Sequence, residues 1–322
     1  LVTPYNMSSF GGVQNQVITI KSYLNNIDKF YCKIAAPSSI DYDIGKTINI
    51  PFNGSVSPVC LFPSKEGLSE ALEWADIVHI HEPFVPLTFW KLPRNKKYIF
   101  THHASLNNLV CYLLNILYRY IKRNGISTYV SELSKKNALT LNESPYLIPN
   151  MFSLNMNLTF KIKNQFLFIG RDEKRKNLRL YKNYVNKYYD PKYKYIAVTN
   201  KVINNPHIKT YLSPNEKNKN NILKESDIFL ALNTHGESFG ITLIEAINTG
   251  NIVISSDIEA FKFLLGDSGI YFENNSESSL SNTIEKTKNN DLSKIWNNQF
   301  NYIKKYEINK NMDKLISLYL SI

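Results

Sequence analysis

The chain has 322 residues, 43% hydrophobic and 20% charged, with 38 basic against 27 acidic side chains for a formal charge of +11. That length suits about two domains of about 150 residues. No run approaches the roughly 18 unbroken apolar residues that a bilayer span needs, so an integral membrane protein and a small disulfide-stapled module are both excluded.

Leu1 opens a strand-like run, so a short segment is expected to precede it. Gly11-Gly12-Val13-Gln14 follows, a turn where backbone without Cβ atoms can approach a phosphate or a sugar. Apolar runs of strand length then alternate with helical patterns: 77–80, 98–101, 127–130, 166–169, 195–199, 228–232 and 252–255. This alternation predicts an α/β chain with parallel sheets covered by helices, whose ligands bind beyond the carboxyl ends of the strands. Pro145, Pro149 and the polar stretch after them predict a domain over 1–152, a linker over 153–164 and a second domain over 165–290. Within the latter, 274–290 reads as a loop and one surface helix. Helices over 291–322 are expected to cross back to the first domain.

Cys32, Cys60 and Cys111 are scattered, without CxxC spacing or a basic-then-apolar leader, so a reducing, cytoplasmic setting is expected. The positive charge fits anionic partners, but 40 asparagines beside abundant lysine also fit an AT-rich gene. No Arg-rich stretch, zinc-finger spacing or aromatic RNA-binding motif accompanies it, so nucleic acid is not an expected partner. Segment 106–123 is apolar and aromatic and ends in Arg119, Lys122 and Arg123. Core packing is its expected use; the alternative is a helix in a membrane interface, with Lys91, Arg94, Lys96 and Lys97 on the same basic face.

The most informative segment is His235-Gly236-Glu237-Ser238-Phe239-Gly240-Ile241-Thr242-Leu243-Ile244-Glu245-Ala246, after the apolar run 228–232. Strand, glycine-bearing loop and helix follow in order, so backbone N–H groups from Phe239 through Gly240 and Ile241 to Thr242 would form an anion site. Glu245, one turn into the helix, can reach back to hydroxyls of the phosphate's bearer. Glu237 lies at the mouth of the same site. Read alone, both glutamates are also ordinary carboxylates at a helix start. His79, His81, His102 and His103 cluster beside Glu82. His79, His81 and His103 could therefore be ligands of a metal-dependent hydrolase, while His79 alone reads as a core histidine.

Glu237 and Glu245, separated by Ser-Phe-Gly-Ile-Thr-Leu-Ile, resemble the E-x7-E signature of retaining glycosyltransferases of the GT-B fold, family 4. Gly11-Gly12-Val13-Gln14, His79-Ile80-His81-Glu82-Pro83, Thr101-His102-His103 and Gly170-Arg171-Asp172-Glu173-Lys174-Arg175-Lys176 resemble that family in the same order, most of all its phosphatidylinositol mannosyltransferase type.

The resemblance implies two Rossmann-like domains facing across a cleft, and transfer of a hexose from a nucleotide-diphosphate sugar, GDP-mannose or a UDP-sugar, to a lipid or glycan acceptor. It implies Arg171 and Lys176 at the leaving diphosphate, with Arg175 as the alternative cation, and Gly12 at donor and acceptor. His103, rather than its neighbour His102, would lie by the transferred sugar, with Tyr5 and Gln14 toward the acceptor. The nucleotide sugar is a co-substrate, and no cofactor or catalytic metal is expected, since no D-x-D element stands where a metal-dependent site would hold Mg²⁺. A cytoplasmic location at the inner membrane face, with peripheral contact, suits a lipid acceptor. Two departures bear on specificity: Asn108 stands where the family has a lysine supporting an inositol phosphate, and Ile148-Pro149-Asn150-Met151-Phe152 lacks the glycine and aspartate of the family's P-N-G-V-D. A non-catalytic nucleotide-sugar-binding module is a further alternative.

Overall fold

The computed structural model describes residues 1–9, 11–52, 55–84, 92–93, 95–104, 106, 108–119 and 125–322. Lys91, Arg94, Lys122 and Arg123 of the expected basic face lie outside the described residues. The chain divides into two compact units, Leu1–Met151 with Ile308–Ile322, and Phe152–Glu307.

The first unit runs α1 (Gly12–Leu24), β1 (Ala35–Ala36), β2 (Tyr42–Asp43), β3 (Ile48–Phe52), β4 (Ser55–Val59), α2 (Lys65–Trp74), β5 (Ile77–His81), β6 (Lys97–His102), α3 (Asn108–Arg119), β7 (Gly125–Tyr129), α4 (Glu132–Leu141) and β8 (Tyr146–Leu147). Strands β5 to β8 form a parallel sheet in that order. Extended residues at the start of the chain join it to the parallel pair β1–β2: Val2 donates to the His79 carbonyl, and Thr3 to that of Ala35.

The second unit runs β9 (Gln165–Ile169), α5 (Leu178–Tyr188), β10 (Lys194–Thr199), β11 (Ile208–Leu212), α6 (Glu216–Lys224), β12 (Ile228–Ala231), α7 (Ile241–Ile247), β13 (Ile252–Ser256), α8 (Glu259–Leu265), β14 (Ile270–Phe272), α9 (Glu277–Lys288) and α10 (Leu292–Ile303). Its six strands are all parallel in the order β11-β10-β9-β12-β13-β14. The order reverses between β9 and β12, the switch point at which doubly wound sheets hold their ligands. Phe166, Leu167, Ile228, Phe229 and Ile254 are all buried, as expected of strands covered on both faces.

The last helix, α11 (Ile308–Ser321), belongs to the first unit. Met312, Leu315, Leu318 and Tyr319 pack with Ile20, Leu24, Ile99 and Met151, each burial worth on the order of 2 kcal/mol. Helix α10 stays with the second unit, and so does the polar stretch 153–164.

Two expectations are corrected. Helix α9 is more than a surface helix: Leu280 and Ile284, one turn apart, are fully buried in the second unit's core, and Ser276 caps its start by accepting from the Ser279 N–H. Helix α3 is not packed away either. Leu109, Tyr112, Leu113 and Ile116 share one face and are exposed, while Leu114 is buried. No helix among the described residues is long and apolar enough to cross a membrane.

Candidate active site

In the second unit, β9 and β12 lie side by side, so the loops leaving their carboxyl ends meet. Gly170 begins the first loop, and a Cβ there would stand 2.9 Å from the Phe168 ring and 3.1 Å from the Lys176 Cβ. A one-turn 3-10 helix, Lys174–Lys176, follows. Lys176 Nζ donates to Glu237 Oε2 at 3.0 Å, and Asn233 Nδ2 donates to the same oxygen at 2.9 Å. Arg175 donates to Glu173 Oε2 at 2.9 Å and to the Gly236 carbonyl at 3.3 Å. Thr234 N–H returns a bond to the Arg175 carbonyl, Ser256 Oγ donates to the Asn233 carbonyl, and Asn274 Nδ2 to that of Thr234. The Glu237 loop is therefore fixed from three sides.

The cations divide accordingly. Arg171 is 58% exposed at its side chain, with Glu173 3.7 Å away. Arg175, only 12% exposed, holds the loop through its bonds to Glu173 and Gly236. Phe239 buries its ring against Tyr306, Phe152 and Phe263, which leaves its backbone for a ligand. Gly240 caps α7 at φ +93, a left-handed conformation natural to glycine. Ile241 and Glu245 lie on that helix, but Glu245 is not free: its Oε2 accepts from Lys219 Nζ at 3.2 Å. Lys219, on α6, also pairs with Glu216 at 2.9 Å. Burial pulls its ammonium down, yet Glu245 and Glu216 outweigh it and hold the pKa above the ordinary lysine value.

In the first unit, Gly12 opens α1 and is exposed. Gln14 is buried and turns back to donate to the Asn6 carbonyl and to Ser9 Oγ, both at 3.2 Å. Its amide nitrogen thus fastens the preceding loop. Tyr5 is partly buried, and burial, with the charge of Glu82, pushes its phenol up.

His103 Nε2 lies 2.9 Å from His81 Nδ1. Burial holds His103 down at about 3 and His81 well below the usual histidine range, so this is a neutral pair in which one ring N–H meets the other's lone pair. His102 is fully buried against Phe84. His79 has both ring nitrogens engaged, Nδ1 with Tyr319 Oη and Nε2 with Thr101 Oγ1, each at 2.6 Å. Among the described residues no group of three or more His, Cys, Asp or Glu is placed to hold a metal. The hydrolase reading fails on that geometry, because His79 has no lone pair to offer.

Asn233 and Lys219 went unnoticed in the sequence. Asn233 shares the Glu237 loop but belongs to no recognised motif, and Lys219 precedes Glu245 by 26 residues on another helix.

Residues 155–310 match the family model described as Glycosyl transferases group 1. The chain is 25% identical over 305 residues to the phosphatidyl-myo-inositol mannosyltransferase of Mycobacterium leprae, across 83% of this chain and 80% of that protein. A glycosyltransferase from Rickettsia africae matches in structure with a TM-score of 0.73 at 17% identity, covering 99% of this chain and 97% of that one. HepE from Anabaena, solved with UDP and glucose, matches with a TM-score of 0.73 at 12% identity, covering 100% and 99%. The chain is a glycosyltransferase with a group 1 glycosyltransferase domain, built on the GT-B fold of two Rossmann-like domains.

Proposed function

We propose that this glycosyltransferase moves a hexose from a nucleotide-diphosphate sugar, GDP-mannose or a UDP-sugar, to a lipid or glycan acceptor with retention at the anomeric carbon. The observation that carries the reading is the Lys176–Glu237 pair at the switch point of the second unit. An ammonium has three N–H donors, so Lys176 can hold Glu237 and still face a diphosphate. Breaking the anomeric C–O bond leaves negative charge on that diphosphate, which Lys176 and the exposed Arg171 compensate. Backbone N–H groups around Gly240 and Ile241 meet the phosphates, Glu237 takes the sugar hydroxyls and Glu245 the ribose. In the first unit His103 faces the transferred sugar, Gly12 the donor, and Tyr5 and Gln14 the acceptor. No metal is required in this scheme.

Relatives named as phosphatidyl-myo-inositol mannosyltransferases support a lipid acceptor, and HepE, solved with UDP and glucose, supports a nucleotide sugar. The exposed face of Leu109, Tyr112, Leu113 and Ile116 suits peripheral contact with the inner membrane face from the cytoplasm.

The test begins with thermal shift against GDP- and UDP-sugars, since a bound donor stabilises the fold by mass action, by about 2.7 kcal/mol at 100 times Kd, and so raises the melting temperature. Proton NMR of the product formed from the stabilising donor then gives its anomeric configuration. An inverted product rejects retention, and no shift with any donor rejects the donor assignment. Glu237→Gln should lower kcat with nucleotide affinity kept, whereas Glu245→Gln should mainly raise the donor's KM.

A further inference from the structure

Glu82 is a buried carboxylate, 7% exposed, to which the scheme above gives no task. It follows β5, precedes Pro83 and sits at φ +60. That left-handed conformation is costly for a residue with a Cβ, and a following proline favours extended backbone instead. The conformation brings its Oε1 within 2.5 Å of the His103 nitrogen and 2.6 Å of the Ala104 nitrogen, so both amides donate to one oxygen. Its own N–H donates to the Thr101 carbonyl at 2.9 Å. The residue just before it, His81, meets the His103 ring at 2.9 Å. Consecutive side chains at the end of β5 therefore grip His103 twice, His81 by the imidazole and Glu82 by the backbone.

Burying a carboxylate is unfavourable unless it is well hydrogen-bonded, and strained backbone concentrates where function requires it. His103 is also the only one of the four clustered histidines whose backbone N–H is shown donating to a side chain among the described residues.

We propose that Glu82 is a positioning residue that fixes the backbone of His103, so that its imidazole keeps its pairing with His81 and its aim toward the transferred sugar. The aim rests on the role proposed for His103; the grip does not.

Glu82→Gln retains a carbonyl oxygen able to accept both amides, and Glu82→Ala does not. In ¹⁵N-labelled protein, Glu82→Ala should move the His103 and Ala104 amide protons upfield and change the His81 and His103 ring-nitrogen shifts, while Glu82→Gln stays close to wild type. With GDP-mannose and UDP-glucose as donor probes, Glu82→Ala should lower kcat about 10-fold or more with donor KM within about twofold. Glu82→Gln should restore it. Unchanged amide and ring signals in Glu82→Ala overturn the proposal, as does unchanged kcat where His103→Ala lowers it. Moved signals together with a His103→Ala variant of full activity would instead reject the role of His103 and leave the grip standing. Should Glu82→Ala not fold, Glu82→Asp, one methylene shorter, gives the same readouts.

Discussion

Lys176 and Glu237 are joined at 3.0 Å through Oε2, the oxygen that Asn233 also reaches at 2.9 Å. Oε1 accepts no hydrogen bond among the described residues. One carboxylate oxygen anchors the side chain, which leaves the other for the sugar hydroxyl proposed for Glu237.

Asn233→Ala removes one of the two anchors, a loss of about 1 kcal/mol for a single hydrogen bond, and should lower kcat about fivefold with little change in melting temperature. Asn233→Asp should do more. It replaces a donor by a second negative charge beside the Glu237 carboxylate, so kcat should fall further than in the alanine variant. Steady-state kinetics on both variants check this, and a kcat equal to wild type in both would detach Asn233 from Glu237.

Arg171 and Arg175 should fail in opposite ways. Arg171→Ala, at an exposed side chain, should leave the melting temperature unchanged but cut turnover on the order of 10²-fold. Arg175→Ala frees Glu173 and the Gly236 carbonyl and should cost about 1–3 kcal/mol of stability. Scanning calorimetry with single-turnover kinetics separates the two, and the reverse pattern would make Arg175 the phosphate cation.

Glu82 gives stability a pH dependence with a definite sign. Burial pushes its carboxyl up to about 7, against the bonds from Ala104 and His103 that pull it down. Tyr5 senses its charge, and the nearby His81 and His103 are held neutral by burial. Between about pH 4.5 and 7 the folded chain thus keeps a proton that the unfolded chain has lost, so this group's contribution falls as pH rises, by about 3 kcal/mol in all. The buried histidines, charging only on unfolding, give the opposite slope. The difference between wild type and Glu82→Gln isolates the carboxyl: in urea unfolding from pH 5 to 8 the wild type should lose ground to the variant, and a constant difference would refute it.

Gly240→Ala should be destabilising by about 1–3 kcal/mol. Its φ is +93, and a Cβ would stand 3.1 Å from the Phe261 ring. Because Gly240 caps α7, donor-induced thermal shift should shrink in the same variant. A melting temperature and donor response equal to wild type would show that the loop tolerates a side chain.

Strands β9, β12 and β13 were legible because residues buried on both faces need only be apolar, and no alternation has to be resolved. The loops at their ends were legible through a resemblance in motif order. Pairings fixed by which elements become neighbours were not: Lys219 finds Glu245 because α6 and α7 flank the same strand, a relation no local spacing encodes. Helix α9 looked like surface because two apolar residues among Ser, Thr, Asn and Lys make a faint stripe, yet Leu280 and Ile284 suffice to dock it. For α3 the apolar composition of 106–123 suggested core packing, but Leu109, Tyr112, Leu113 and Ile116 form an exposed face. Composition alone does not tell a buried apolar helix from an exposed one.

Helix α11 carries Met312, Leu315 and Tyr319 into the core of the unit that contains the chain's start. During synthesis, the continuous span Phe152–Glu307 has all its strands before that helix leaves the ribosome. The first unit cannot cover Ile20, Leu24 and Ile99 with α11 until that helix has been made, after the whole of the second unit. Until then the unit depends on whatever shields those side chains from other nascent chains.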